Sequence, residues 1–383
     1  MPPVEGQRPA IRATRAEIDL GALQHNAAVV ARAAGGAAVC AVVKADAYGH
    51  GAVPVARALL ASGHIAALGV SLIEEGIELR DAGVTAPVLV MGPALDGGHQ
   101  ELVARDLTPV VSEPADLEAL AALGRARGRP VPVHLKVDTG MGRLGIPAAA
   151  VGALVARAVR AGGVEVAAIA THFACADLDD PQAASSATLA QLAVLDRALA
   201  DVRAAGAAPA LIHAANSAAV FRYPASHFGM VRPGLAMYGN GLAPPAPAGM
   251  LEPVMHLVTR IAQVRDVETG QAVSYGALWR AERPSRIAVL PLGYADGYPR
   301  RLTGGAEALV GGRRCPVVGA ISMDMTLVDV TAHGDDARVG DEVVLLGVQG
   351  QERIAAAELA ERAGVTEYEV TCGVSKRVPR VYR

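Results

Sequence analysis

An α/β architecture, a (β/α)8 barrel followed by a mostly β domain, is predicted by three observations. Short apolar runs alternate with alanine-rich amphipathic segments from about residue 17 to 240. A Pro/Ala/Gly-rich stretch, "GLAPPAPAGM", then interrupts the pattern like a linker. Beyond it the apolar period shortens to the alternation of strands, with glycine-rich turns between them.

The first region reads in order. The strand "AVCAVV" precedes the helix "PVARALLASG", and "IAALGV" precedes "LIEEGIELRDAG". "PVLVM" follows, then "LTPVV" with "PADLEALAALGRARG". "VPVHLKVD" leads to "PAAAVGALVARAVRAG", "VEVAAIATHF" to "SSATLAQLAVLDRALADVRAAG", and "ALIHAANS" comes last. The helices space their apolar residues near 3.6, and many stop on glycine. Repeated strand–helix units imply parallel strands with right-handed crossovers. About eight such units suit a closed barrel; a doubly wound open sheet is the competing layout. The second region offers "MHLVTRIAQVRDV", "RIAVLPLGY", "RCPVVGAISMDMTLVDV" and "DEVVLLG" as strands and "IAAAELAERAG" as a helix. The expected domains are residues 1–245 and 246–383.

Composition narrows the function. At 383 residues, 52% hydrophobic and 19% charged, the chain can bury a large core. A net charge of −3 without a basic block, and 3% aromatic residues, argue against nucleic acid as a partner. The four cysteines are scattered without zinc or redox spacing, so no metal site is expected. No apolar leader and no long uncharged apolar segment is visible, so a soluble cytoplasmic protein is expected.

One local feature stands out. In "AVCAVVKADAYGHGA" an apolar strand ends abruptly in Lys44, ahead of a polar, flexible patch. Barrel strands point their C-terminal ends at the active site. A partly desolvated amine there has a lowered pKa and can condense with a carbonyl. From spacing alone, a solvated lysine opening a loop is the better explanation of Lys44.

"VVKADAYGHGA" resembles the pyridoxal-phosphate lysine motif of the alanine racemase family. The similarity continues through "HLKVDTGMGRLG", "THFACAD", "HAANSAA", "FGMVRPGLAMYG", "VSYGALW", "LPLGYADGYPRRL", "GAISMDMTLVD" and "RVPRVY". So many motifs in the family's order, over both regions, are highly specific. The resemblance implies a barrel plus β domain, a head-to-tail homodimer with shared active sites, and interconversion of L- and D-alanine with pyridoxal 5'-phosphate, providing D-alanine for peptidoglycan.

It also implies residue roles. Lys44 holds the cofactor and serves as the base on one face of the substrate; Tyr275, from the partner subunit, serves the other. A phenol of pKa about 10 is a poor base near neutrality, so phenolate needs support. The implied support runs from Arg232 through His172 to Tyr275. Arg232 only donates hydrogen bonds, which suits an unprotonated pyridine nitrogen. Ser217, the N–H groups of Gly234 and Leu235, and Tyr48 are implied phosphate contacts. Arg143, a planar fork suited to carboxylates, and the Met323 N–H are implied substrate contacts. Lys136 matches a lysine that is N-carboxylated in some members. Asp177, Tyr294 and Arg300 match the substrate entrance. Two positions depart: Lys376 stands where many members have tyrosine, and Ala320 where arginine is often found. Both put sole use of alanine in doubt, so a broader-specificity or serine racemase is an alternative. A basic amino-acid decarboxylase of the same layout carries an acidic residue near the pyridine nitrogen, and Arg232 argues against it. A barrel that merely binds the cofactor lacks the second domain.

Overall fold

The computed structural model describes residues 11–239 and 250–383; the expected boundary at 245/246 lies outside them. The chain divides into two compact units. Among the described residues, one comprises 22–47, 51–239 and 250–252, the other 11–21, 48–50 and 253–383. The first strand in the chain, β1 (Arg15–Ile18), belongs to the second unit.

The first unit is the barrel. Its strands are β2 (Ala38–Val42), β3 (Ala67–Val70), β4 (Val88–Val90), β5 (Thr108–Val111) and β6 (Val131–Asp138), then, after the short β7 (Ile146–Pro147) beside β6, β8 (Val164–Ala170), β9 (Leu211–His213) and β10 (Met230–Val231). All pair in parallel, in the order β5-β4-β3-β2-β10-β9-β8-β6, and a β5–β6 pairing closes the ring. The predicted barrel is therefore present. Its interior is filled by small and medium side chains, with Cys40, Ala67, Leu89, Val110, Ala170 and Met230 in one buried cluster. Five expected helices appear at Ala52–Ala61, Ile73–Asp81, Pro114–Ala126, Ala148–Ala161 and Pro181–Ala204. The structure adds Leu20–Ala33, which the sequence reading did not single out, and Gly98–Ala104 and Ser217–Arg222, which are too short to show a period.

The second unit is mostly β. Its ten-stranded sheet receives β1 between Met255–Arg260, antiparallel, and Arg380–Tyr382, parallel. "MHLVTRIAQVRDV" is two strands rather than one, Met255–Arg260 and Gln263–Val267. The break falls where the ladder changes neighbour: the Ile261 N–H donates to Asp341 O and the Ala262 N–H to Val289 O. "RCPVVGAISMDMTLVDV" likewise splits into Arg313–Val318 and Thr326–Asp329. Asp296 is fully buried in this unit and is held by Arg12 at 2.7 Å. Among the described residues, no helix is long and apolar enough to cross a membrane.

Candidate active site

Strand register delivers Lys44. Ala38 and Cys40 face the barrel interior, and residues two apart share a face. Lys44 follows in that phase at the C-terminal end. The chain then coils into one left-handed helical turn, Lys44–Gly49, with φ of 53° at Ala45, 54° at Asp46, 53° at Ala47 and 54° at Tyr48. Sequence reading suggested a flexible patch here; the structure shows a strained, fixed one. Each such non-glycine residue costs about 1–2 kcal/mol, so the turn needs anchors. The Glu75 carboxylate accepts the N–H groups of Ala45 (2.5 Å), Ser71 (2.8 Å) and Leu72 (3.0 Å). Asp46 Oδ1 accepts the Ala52 N–H at 2.7 Å. In the second unit, Arg380 donates to Gly49 O at 2.9 Å. A Cβ on Gly49, whose φ is +83°, would lie 2.2 Å from Thr371 O, so glycine is required. Tyr48 sits edge-to-face with Tyr368, ring centroids 6.5 Å apart.

Arg232 follows β10 and is buried at the barrel core. Its Nη1 contacts His213 Nδ1 at 2.6 Å, and its Nη2 donates to Thr171 O at 2.6 Å and Ala214 O at 3.3 Å. Its approach to His172 Nδ1 is longer, 3.5 Å. Because Arg232 can only donate, His213 Nδ1 accepts, and the His213 proton lies on Nε2. That proton is donated to His134 Nδ1 at 3.0 Å, which leaves His134 protonated on Nε2. His134 and Lys136 alternate along β6 on one face. The sequence reading missed His134 and His213; their position two residues from Lys136 and at a strand end was the available signal.

Electrostatics follow from this geometry. Burial lowers Arg232 to about 10, so it stays charged near neutrality. Burial first, then Arg232, lowers His134 to about 4 and His172 to about 3, and holds His213 well below its usual range. Unfolded, each histidine titrates near pH 6.5 (about). Below that pH the unfolded chain binds protons that the folded chain refuses, so stability rises with pH and is lost on acidification. The expected outcome is a Tm that falls steeply from about pH 6.5 to 5, above the ordinary carboxylate range. A Tm flat across that interval would contradict three neutral histidines, two of them buried.

Lys136 is buried, and desolvation, with Arg143, Arg232 and Lys44 nearby, brings it down to about 8. Arg143 is exposed on the loop after β6. Asp138 shapes that loop by accepting the N–H groups of Gly140 and Met141, each at 2.9 Å, and Gly142 at 3.2 Å. Burial pushes Asp138 upward, but those donors hold it below its usual range. Lys44, Lys136, Arg143 and Arg232 all raise the positive potential felt at His172. The strand ends thus gather a cationic basin suited to anions, with Asp138 shaping the Arg143 loop and Glu75 and Asp46 the turn after Lys44. At its side, Ser217 Oγ accepts the N–H groups of Gly234 (3.0 Å) and Ala236 (3.2 Å), which leaves its own proton to donate. Leu235 opens the adjoining turn, and Tyr238 from that turn donates to Val42 O at 3.0 Å. Asp177 is exposed on the loop after β8.

In the second unit Tyr275 is 73% exposed. Positive φ at Ser274 (66°), Gly276 (70°) and Ala277 (48°) bends the chain sharply around it. Ser274 Oγ donates to Ala320 O at 2.7 Å, so the Tyr275 turn rests on the loop that carries Met323. The Tyr294 N–H donates to Ser322 O and the Ala295 N–H to Met323 O, both at 3.0 Å. Leu278, Met323, Met325 and Tyr294 are exposed here, as is Arg300. Ala320 is buried, whereas Lys376 is exposed.

A parallel barrel with a lysine and a basin of cations at its strand ends, followed by a β domain, defines a class: barrel enzymes acting on small anionic molecules. The family models for the N-terminal domain and the C-terminal domain of alanine racemase match residues 18–241 and 254–382. An alanine racemase of Symbiobacterium thermophilum is 45% identical over 99% of this chain and 98% of its own. One of Sorangium cellulosum is 44% identical over 97% and 100%. The crystal structure of alanine racemase from Streptomyces lavendulae superposes with a TM-score of 0.91 at 38% identity, covering 98% of each chain. That of Bartonella henselae, with covalently bound pyridoxal phosphate, gives 0.87 at 28% identity over 98% of this chain and all of its own, 100%. The chain belongs to the alanine racemase family, pyridoxal-phosphate-dependent amino-acid racemases that are isomerases.

Proposed function

We propose that this chain interconverts L- and D-alanine by a two-base route with pyridoxal 5'-phosphate held by Lys44, in the cytoplasm, and that its D-alanine goes to peptidoglycan. The observation that carries this reading is the basin formed by Lys44, Lys136, Arg143 and buried Arg232. Its donor set fits the cofactor: an amine for the carbonyl, a donor-only guanidinium for a ring nitrogen, and a free hydroxyl proton at Ser217 beside Gly234 and Leu235 for the phosphate, with Tyr48 as a further phosphate contact. When bound, the cofactor withdraws electrons from the substrate α-carbon and makes its proton removable.

The chain's own residues do the rest. Arg143 takes the substrate carboxylate with the Met323 N–H. Lys44 moves a proton on one face of the α-carbon. Tyr275 of a second copy serves the other, so the active unit is a head-to-tail homodimer. The exposed Tyr275, Leu278, Met323 and Met325 supply an apolar face for that contact. His172 meets Arg232 through Nδ1, which leaves an Nε2 proton to stabilise a phenolate. Lys136, lowered to about 8, has neutral amine available for N-carboxylation, and the resulting anion would hold Arg143. Asp177, Tyr294 and Arg300 line the substrate entrance.

The test is racemisation of alanine, serine, lysine and arginine by the purified chain with added pyridoxal phosphate, with and without bicarbonate. Alanine is expected to be turned over fastest, and faster with bicarbonate where Lys136 is partly neutral. Equal rates for serine or the basic amino acids would favour the broader-specificity reading, which exposed Lys376 motivates. Release of carbon dioxide in place of racemisation would overturn both.

A further inference from the structure

The helix Pro181–Ala204 lies next in the chain after the loop that carries His172, and from it the buried Gln191 reaches back to that loop. Its Nε2 donates to Thr139 Oγ1 and to His172 O, each at 3.0 Å. Its Oε1 accepts the Ala174 N–H at 2.9 Å. One amide therefore joins the loop after β6 to the loop after β8.

The direction of every proton in this network is fixed. Thr171 Oγ1 donates to Val137 O at 2.9 Å, so its single proton is used. Thr139 Oγ1, 2.8 Å away, must then donate to Thr171 Oγ1. Thr139 in turn accepts from Gln191. The chain reads Gln191 to Thr139 to Thr171 to Val137, with no free donor along it. A flipped amide would set Oε1 against the His172 carbonyl oxygen, so only one orientation satisfies all partners. Thr171 also gives its carbonyl to Arg232 at 2.6 Å. Gln191 is thus bonded to His172 itself and to Thr139, on the loop that leads to Arg143, and it reaches the carbonyl that Arg232 holds through Thr139 and Thr171.

We propose that Gln191 is a positioning residue that sets the spacing between the Arg143 loop and the His172 loop. Its kinetic consequence rests on the racemase reading above; the mechanical coupling does not. Replacing it by methionine removes the donor to Thr139 and to the His172 carbonyl and the acceptor for the Ala174 N–H, which releases both loops together.

The test compares Gln191→Met, Gln191→Glu and Leu195→Ala in the full chain loaded with pyridoxal phosphate. Gln191→Glu keeps an acceptor for Ala174 and loses both donors. Leu195 is fully buried one turn along the same helix and serves as a destabilised control without that amide. Amide hydrogen exchange in residues 139–145 and 171–176 is expected to quicken about tenfold in both Gln191 variants, in both loops at once. In Leu195→Ala it is expected to rise only as global stability falls. The value of kcat/KM for alanine is expected to drop about tenfold or more in the Gln191 variants relative to Leu195→Ala. Loosening confined to one loop, or exchange and kcat/KM indistinguishable from Leu195→Ala, would overturn the proposal. Should the wild-type chain racemise no amino acid, the racemase reading falls, and hydrogen exchange still decides the coupling.

Discussion

Lys44→Ala is expected to lower alanine racemisation by on the order of 10⁴-fold or more, because one side chain has two duties. In the proposed function it holds the cofactor covalently, and it carries a proton on one substrate face. No other amine replaces it: Lys136 sits on a different strand and is locked in the barrel wall. The fold should survive. The turn after residue 44 is anchored by backbone N–H groups donated to Glu75 and Asp46, which the substitution leaves in place. Absorbance of the bound cofactor, borohydride labelling and Tm read the three consequences separately. Expected are loss of the borohydride-fixed adduct, a Tm close to wild type, and partial recovery with a small added amine. Activity within tenfold of wild type would remove Lys44 from both roles.

Tyr275→Phe is expected to cost about 10²–10⁴-fold in racemisation, the range for losing one general base. The ring remains, so its exposed apolar surface is kept, and only the hydroxyl is lost. Dimerisation, read by sedimentation, is expected to be unchanged. The backbone at Ser274, Gly276 and Ala277 already bears the positive φ values that bend the turn, and phenylalanine asks for nothing new there. A loss below threefold would mean that the phenol does not move protons.

Much of this layout was legible in the sequence, and the exceptions have physical causes. The long helices show their period because each buries one stripe. β9 and β10, of three and two residues, are too short to carry any period, so the closing strand could only be inferred from the count of units. The left-handed turn is invisible because "ADAY" holds only one residue, Asp46, that tolerates positive φ; Glu75, 30 residues away from Ala45, anchors it from elsewhere in the chain, and Asp46 ties it forward to Ala52. The individual site residues were proposed only through motif resemblance. Arg232, before a proline, shows nothing in its own neighbourhood of the buried histidine pair that it orients. His134, His213 and Gln191 escaped notice because their importance lies in partners 79, 19 and 52 residues away.

The separation of two proton carriers is tested most directly by following deuterium from solvent into each enantiomer of alanine with Tyr275→Phe. Label is expected to enter one enantiomer, the one whose α-hydrogen Lys44 exchanges, while the other stays unlabelled on the same timescale. Equal labelling of both enantiomers would show that a single group reaches both faces, and would contradict the account.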